Sequence, residues 1–150
     1  MMSKKAKILP FKVEHIEVMD IREYEFKTVF QLKNVQAGLK VFEQSKTAGT
    51  IVCDGRIIAI MGLQELWRGV CELWVIPSKY VREYTLPFAR TLRKAMDSGI
   101  LNNYHRVQIR ACDDDLHNRF LKFLRFEKEG TLKKYDTLGN DMNMWARVKE

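Results

Sequence analysis

Apolar residues recur along this chain in two rhythms, one of period two and one near 3.6, and each switch between them marks an element boundary. Residues 7–13 read as a strand in which Pro10 points to a sheet edge or a bulge. From there to residue 30, Val13, Ile16, Ile21, Tyr24 and Phe26 fall at helical spacing with charges between them. Residues 35–44 form a second helical stretch that turns Leu39 and Phe42 toward a core. Two strands, 49–53 and 56–63, flank Asp54-Gly55, a hairpin dipeptide whose two positions tolerate positive φ. Residues 70–76 are almost continuously apolar apart from Glu72, as in a strand buried on both faces.

Thr85 is placed to cap a helix with Pro87 in its first turn, where a missing N–H leaves no bond unmade. Phe88, Leu92, Ala95 and Gly99 form its inner stripe, and Arg90, Arg93, Lys94 and Asp97 its outer one. Arg106–Cys112 alternates, with Val107, Ile109 and Ala111 against Arg106, Gln108 and Arg110. Asp113, Asp114 and Asp115 can each cap a helix over residues 116–124 and suit its dipole. Residues 127–148 read as two strands around Leu138-Gly139-Asn140-Asp141, with Met142 and Met144 as core or edge packing. The predicted order is β-α-α-β-β-β-α-β-α-β-β, one α/β domain over residues 1–150 with a mixed central sheet flanked by helices. No linker, repeat or low-complexity stretch interrupts it.

Composition narrows the function classes. A chain of 150 residues with 46% hydrophobic and 30% charged positions has the size and make-up of one globular domain. No apolar run approaches the roughly 18 residues of a membrane span, so no membrane partner is expected. The Met-Met-Ser-Lys-Lys start lacks the apolar stretch of a secretory signal, which makes cytoplasm the expected compartment. Cys53, Cys71 and Cys112 are odd in number, form no C-x-x-C and lie in strand-like runs, where a buried, inert thiol is the default. His15, His105 and His117 are not at metal-ligand spacing with them, so neither disulfide nor structural metal is expected. A net charge of +7 suits an anionic partner. The cations are spread along the chain without a polybasic tail or an Arg/aromatic motif, so nucleic-acid binding is not favoured over docking to an acidic partner.

The element order resembles that of the GNAT N-acyltransferases, and three stretches carry the likeness. Cys71-Glu72-Leu73-Trp74-Val75-Ile76-Pro77 is similar to the family's fourth strand running into its V-x-P. The helix from Thr85 resembles the one that follows the cofactor loop. Residues 113–126 resemble the family's closing segment, usually an Asn, an amphipathic helix and then Leu-Gly-Phe. Here the ending is Leu124-Arg125-Phe126, with Arg125 in place of glycine. The likeness covers most of the chain, strong from Gly55 onward and weak before Ala48. A narrower likeness, to the small internal virion proteins of short-tailed phages, rests on three stretches. They are His117-Asn118-Arg119-Phe120-Leu121-Lys122, Cys71-Glu72-Leu73-Trp74 and the basic run from Arg90 to Lys94.

The resemblance implies a cofactor loop, R/Q-x-x-G-x-G/A, that holds the pyrophosphate of acetyl-CoA on backbone N–H groups at a helix N-terminus. Setting Val75 and Pro77 on V-x-P puts Tyr80 at the Arg/Gln position and Val81 after it, with Glu83 and Thr85 on the two glycines. A side chain there stands between backbone and phosphate. Glu83 would add a like-charge penalty of about 1 kcal/mol in water. Lys79 and Arg82 are candidate side-chain ligands for the phosphates, or else solvated loop charges. Val75, Lys79, Arg82 and Thr85 thus make up a vestigial candidate cofactor loop.

Leu121 falls where the family has a tyrosine acid, and it can donate nothing. Glu72 is the candidate catalytic base, since a carboxylate inside an apolar strand should have a raised pKa. Its alternative is a structural pair with a cation such as Arg110. Trp74 shares its strand face and either lines an acceptor slot or, like Phe120, packs in the core. His117 reads as a cap or packing residue and His105 as surface. The consecutive carboxylates of Asp113 to Asp115 do not converge on one ion without a sharp turn.

The favoured reading is a GNAT-fold phage protein, a virion or early-infection component of host cytoplasm or virion. It would act through contacts with other virion or host proteins, its cofactor cleft closed or reused and no cofactor expected. The alternative is an active acetyl-CoA-dependent N-acetyltransferase that uses Lys79 and Arg82 for the phosphates and Glu72 as base. A basic nucleic-acid-binding module is the second alternative.

Overall fold

A computed structural model describes residues 5–32 and 34–150. Its elements in chain order are β1 (Lys7–Pro10), α1 (Glu14–Val18), α2 (Glu23–Lys27), α3 (Val35–Ser45), β2 (Ala48–Cys53), β3 (Arg56–Trp67) and β4 (Val70–Pro77). There follow α4 (Thr85–Asp97), β5 (Arg106–Cys112), α5 (Asp115–Phe123), β6 (Glu127–Leu132) and β7 (Met142–Val148). Among the described residues the strands form one seven-stranded sheet, hydrogen-bonded in the order β1-β2-β3-β4-β5-β7-β6. Contacts divide the chain into two compact units. One holds the described residues up to Gly62 together with Val75–Thr91, and the other holds Leu63–Trp74 and Leu92–Glu150.

In the first unit β1, the edge strand, runs antiparallel to β2, and β2 antiparallel to β3. The turn between β2 and β3 is the one Asp54-Gly55 encodes. Their φ values of 52° and 72° are both left-handed, and Cys53 pairs with Arg56 across them. Ile51, Ile58, Ala59 and Ile60 are fully buried. The long helix expected over residues 13–30 is instead two short helices and a 3-10 turn, separated at residues 19–22. The cause is long-range pairing: Ile21 bridges Ser78, and the Lys79 amide donates to the Asp20 carbonyl at 2.9 Å. That break rephases the next helix, leaving Phe26 58% exposed and burying Glu25 against Arg22.

In the second unit β4 runs parallel to β5, pairing Val70, Cys71 and Glu72 with Arg106, Val107 and Gln108. A parallel neighbour requires a crossover element, and α4 lies in that stretch of chain. β7 returns antiparallel between β5 and β6. The alternation read in β5 holds, with Val107, Ile109 and Ala111 buried. At the turn before β4, Gly69 has φ 84°, and a Cβ there would overlap the His105 ring, so only glycine fits.

Leu121, Leu124 and Phe126 seat α5 and its exit in the core, each burial contributing roughly 1.5–3 kcal/mol. Trp74 and Phe120, expected in the core, are only half-buried. The buried stripe of α4 is Phe88, Ala89, Leu92 and Met96, not one that continues through Ala95 to Gly99. Gly99 has left the helix with φ 96°.

Candidate functional site

Residues 79–84 form a run of turns between β4 and α4, and none of residues 78–84 has a positive φ. A backbone without positive φ has no need of glycine, which is why Glu83 and Thr85 are tolerated. Six of the seven amides of residues 78–84 are already engaged. Ser78 N–H donates to the Ile58 carbonyl (2.8 Å), Lys79 to Asp20 (2.9 Å), Val81 to Ser78 (3.2 Å), Glu83 to Tyr80 (3.1 Å) and Tyr84 to Val81 (3.3 Å). The Tyr80 amide donates to Ser78 Oγ at 3.2 Å.

Side chains pin the same turn. Ser78 is fully buried and its hydroxyl donates to the Ile57 carbonyl at 2.7 Å. The Tyr84 hydroxyl donates to Asp54 Oδ2 at 3.3 Å. The Arg56 guanidinium lies 4.5 Å from the Tyr80 ring centroid and 3.3 Å from the Glu83 carboxylate. A hydrogen bond to the Asp20 carboxylate raises the pKa of Tyr80. Of the candidate phosphate ligands, Lys79 and Arg82 are exposed, Val75 is half-buried and Thr85 is exposed. Thr85 is no N-cap: its hydroxyl donates backward to the Val81 and Arg82 carbonyls, at 3.0 and 3.1 Å.

Glu72, the candidate base, sits in the second unit in an ion pair. Arg110 Nε donates to Oε1 at 3.1 Å, and Arg110 Nη2 pairs with Oε2. Gln108 Nε2 donates to Oε1 at 3.1 Å, so both carboxylate oxygens are engaged. The third guanidinium nitrogen of Arg110, Nη1, donates to the Tyr135 hydroxyl. Burial pulls the Arg110 pKa down, but Glu72 and then Tyr135 more than offset this and leave it raised. This arrangement is the ion pair anticipated with Arg110, with Glu72 an acceptor to three donors.

Asp114 is the N-cap of α5, accepting the His117 amide at 2.8 Å while His117 Nδ1 lies 2.8 Å from the same oxygen. Asp113 instead accepts from the fully buried Asn143 at 2.9 Å. With Cys112, Asn140 and Asp141 these aspartates line an open groove of about 410 Å³. Leu121 is buried. Cys53 and Cys71 are buried and Cys112 half-buried, all as free thiols. Burial, helped by Glu65, pushes the Cys71 thiol up to about 11.

The sequence reading missed Asp20, Asp54, Arg56, Ser78, Tyr84 and Tyr135. Ser78, a small polar residue directly after an apolar strand, was the available signal; the others act through contacts distant in sequence.

No family model and no curated protein matches the sequence. Solved structures do. The chain superposes on Ard1 from Thermoplasma volcanium with a TM-score of 0.71 at 15% identity, covering 97% of this chain and 98% of that one. A GNAT-family acetyltransferase from Bacillus anthracis gives 0.68 at 13% identity, covering 98% and 96%. RimL, a ribosomal L7/L12 alpha-N-protein acetyltransferase in complex with coenzyme A, gives 0.70 at 15% identity, covering 98% and 96%. The fold is that of the GNAT acetyltransferases.

Proposed function

We propose that this chain is a GNAT-fold domain that does not transfer acetyl groups by the fold's usual loop and works through protein contacts, with virion or host proteins as partners. The observation that carries the reading is the turn of residues 78–84, six of whose seven amides are bonded to the protein's own acceptors. A pyrophosphate held on backbone N–H groups would have to displace those acceptors. Glu72, engaged by Arg110 and Gln108, supports the same reading from the side of the base. The phage assignment is supported by the sequence likeness over His117 to Lys122 and over Cys71 to Trp74.

Calorimetry or thermal unfolding with millimolar acetyl-CoA tests this. Native-state binding at a hundred times the dissociation constant stabilises by about 2.7 kcal/mol. In a chain of this length that is an upward shift of roughly 5–10 °C. The expected result is an unmoved melting temperature.

A second reading rests on the exposed Lys79 and Arg82, which flank the entry to α4. It is an acetyl-CoA-dependent N-acetyltransferase that grips the phosphates with side chains. A clear rise in melting temperature that Arg82→Glu abolishes would establish it over the first.

A further inference from the structure

Five cations of the second unit stand in ion pairs, and among the exposed cations without one are three that cluster on a single helix. Arg93 and Arg147 pair with Asp97, Arg106 with Glu129, Arg110 with Glu72 and Lys133 with Asp141. Arg119, Lys122 and Arg125 are exposed and have no carboxylate partner among the described residues. They occupy the C-terminal half of α5 and the residue just past its cap, over roughly 9 Å at helical rise.

Arg125 is the unusual member. The Arg125 amide donates to the Lys122 carbonyl at 2.9 Å and the Phe126 amide to the Leu121 carbonyl at 3.0 Å. Those two bonds define a Schellman ending in which Arg125 takes the left-handed position, with φ 67°. Glycine is the residue that adopts this conformation without strain. The helix dipole accounts for cations near a helix C-terminus but not for an arginine at the one position where its backbone is disfavoured. A strained residue with an exposed, unpaired charge points to a use for the side chain.

We infer that Arg119, Lys122 and Arg125 form a docking surface for an acidic protein segment, one that presents carboxylates over about two helical turns. The extent of the surface favours such a segment over a nucleic acid. Asp113, Asp114 and Asp115 lie at the opposite end of the same helix and would repel a polyanion long enough to run along it. Phe123, the aromatic on this helix nearest the cations, lies under the Arg93 guanidinium, 4.8 Å from its ring centroid. The Arg93 guanidinium therefore occupies one face on which a base could otherwise stack. This inference deepens the protein-contact reading and rests on it.

The test uses the full chain and fluorescence anisotropy with three labelled probes. They are a peptide of about 16 residues whose Glu residues are confined to two adjacent helical turns, the same peptide with Gln for Glu, and a DNA duplex of about 16 base pairs. The Glu peptide should bind, weaken with added salt, and weaken at least tenfold for the Arg119→Glu/Lys122→Glu variant. Arg125→Gly should weaken it about threefold or more while raising the melting temperature, which separates lost docking from lost folding. Equal binding of the Gln peptide, an unchanged affinity in either variant, or tighter binding of the duplex than of the Glu peptide overturns the inference. Acetyl-CoA added to the same protein reports separately on the turn of residues 78–84, so failure there is not confused with failure here.

Discussion

Arg110→Ala is the substitution whose consequence the structure defines most closely. Glu72 is 8% exposed, and removing the guanidinium leaves its carboxylate buried with Gln108 Nε2 as the remaining donor among the three that now reach it. Breaking a wholly buried ion pair costs about 3–5 kcal/mol. The Arg110 side chain is 36% accessible and one donor remains, which brings the expected loss to about 2–3 kcal/mol. That corresponds to roughly 5–10 °C in melting temperature for a chain of this size. Glu72→Gln should cost less, about 1 kcal/mol, because the arginine left behind can turn to water. The double variant Glu72→Gln/Arg110→Ala should then lose less than the sum, with a coupling of at least about 1 kcal/mol. Urea denaturation of the four proteins measures all of this. A loss below about 1 kcal/mol for Arg110→Ala, or no coupling, would refute the pair as the anchor of this face and return Glu72 to candidacy as a base.

In α5, Leu124→Ala should cost about 2–5 kcal/mol, because Leu124 is fully buried, while half-buried Phe120→Ala should cost less than Leu124→Ala. Denaturant midpoints that reverse this order would place the wrong face of α5 in the core. Gly69→Ala should destabilise by more than about 1 kcal/mol, since φ 84° is disfavoured for alanine and its Cβ meets His105. An unchanged melting temperature would contradict that contact. Stability should also fall in acid. Burial raises the Asp114 carboxyl, but the amide and ring of His117 outweigh it, and the Arg106 hydrogen bond holds down Glu129. Both folded values lie below the ordinary 3.8 and 4.5, so their contribution is full above that range and is lost as pH falls through it. Urea midpoints measured between about pH 7 and 3 should decline toward the acid end, and Asp114→Asn should flatten part of that slope; an identical slope in the variant would count against the cap.

The stretches that were legible in the sequence are those whose structure is decided locally. Asp54-Gly55 fixed its own hairpin, and the alternation of Arg106–Cys112 named the buried face of β5 residue by residue. The failure over residues 13–30 has the opposite origin. Helical spacing there is real, but Asp20 and Ile21 are drawn into bonds with Ser78 and Lys79, which no local pattern announces. The site was legible to the same degree. Glu72 within an apolar strand allowed two readings, base or ion pair, and Arg110 on the neighbouring strand forms the pair. The absence of the glycines that the resemblance implies was visible in the sequence. The closed turn that replaces them depends on Asp20, Asp54 and Arg56, and so was not.

Two stretches where the resemblance to the GNAT pattern would put glycine carry other residues, and they differ in a way that separates structure from use. At Glu83 and Thr85 φ is not positive, so the side chains carry no left-handed penalty and the turn has a geometry of its own. Restoring glycine there would loosen the turn by widening the unfolded ensemble, without relieving any strain. At Arg125 the left-handed geometry is kept and the arginine is imposed upon it, at a cost of about 1 kcal/mol. The first replacement therefore accompanies a turn rebuilt around its own hydrogen bonds. The second leaves the helix ending as it was and adds a charge, which makes the side chain rather than the backbone the feature that needs a partner.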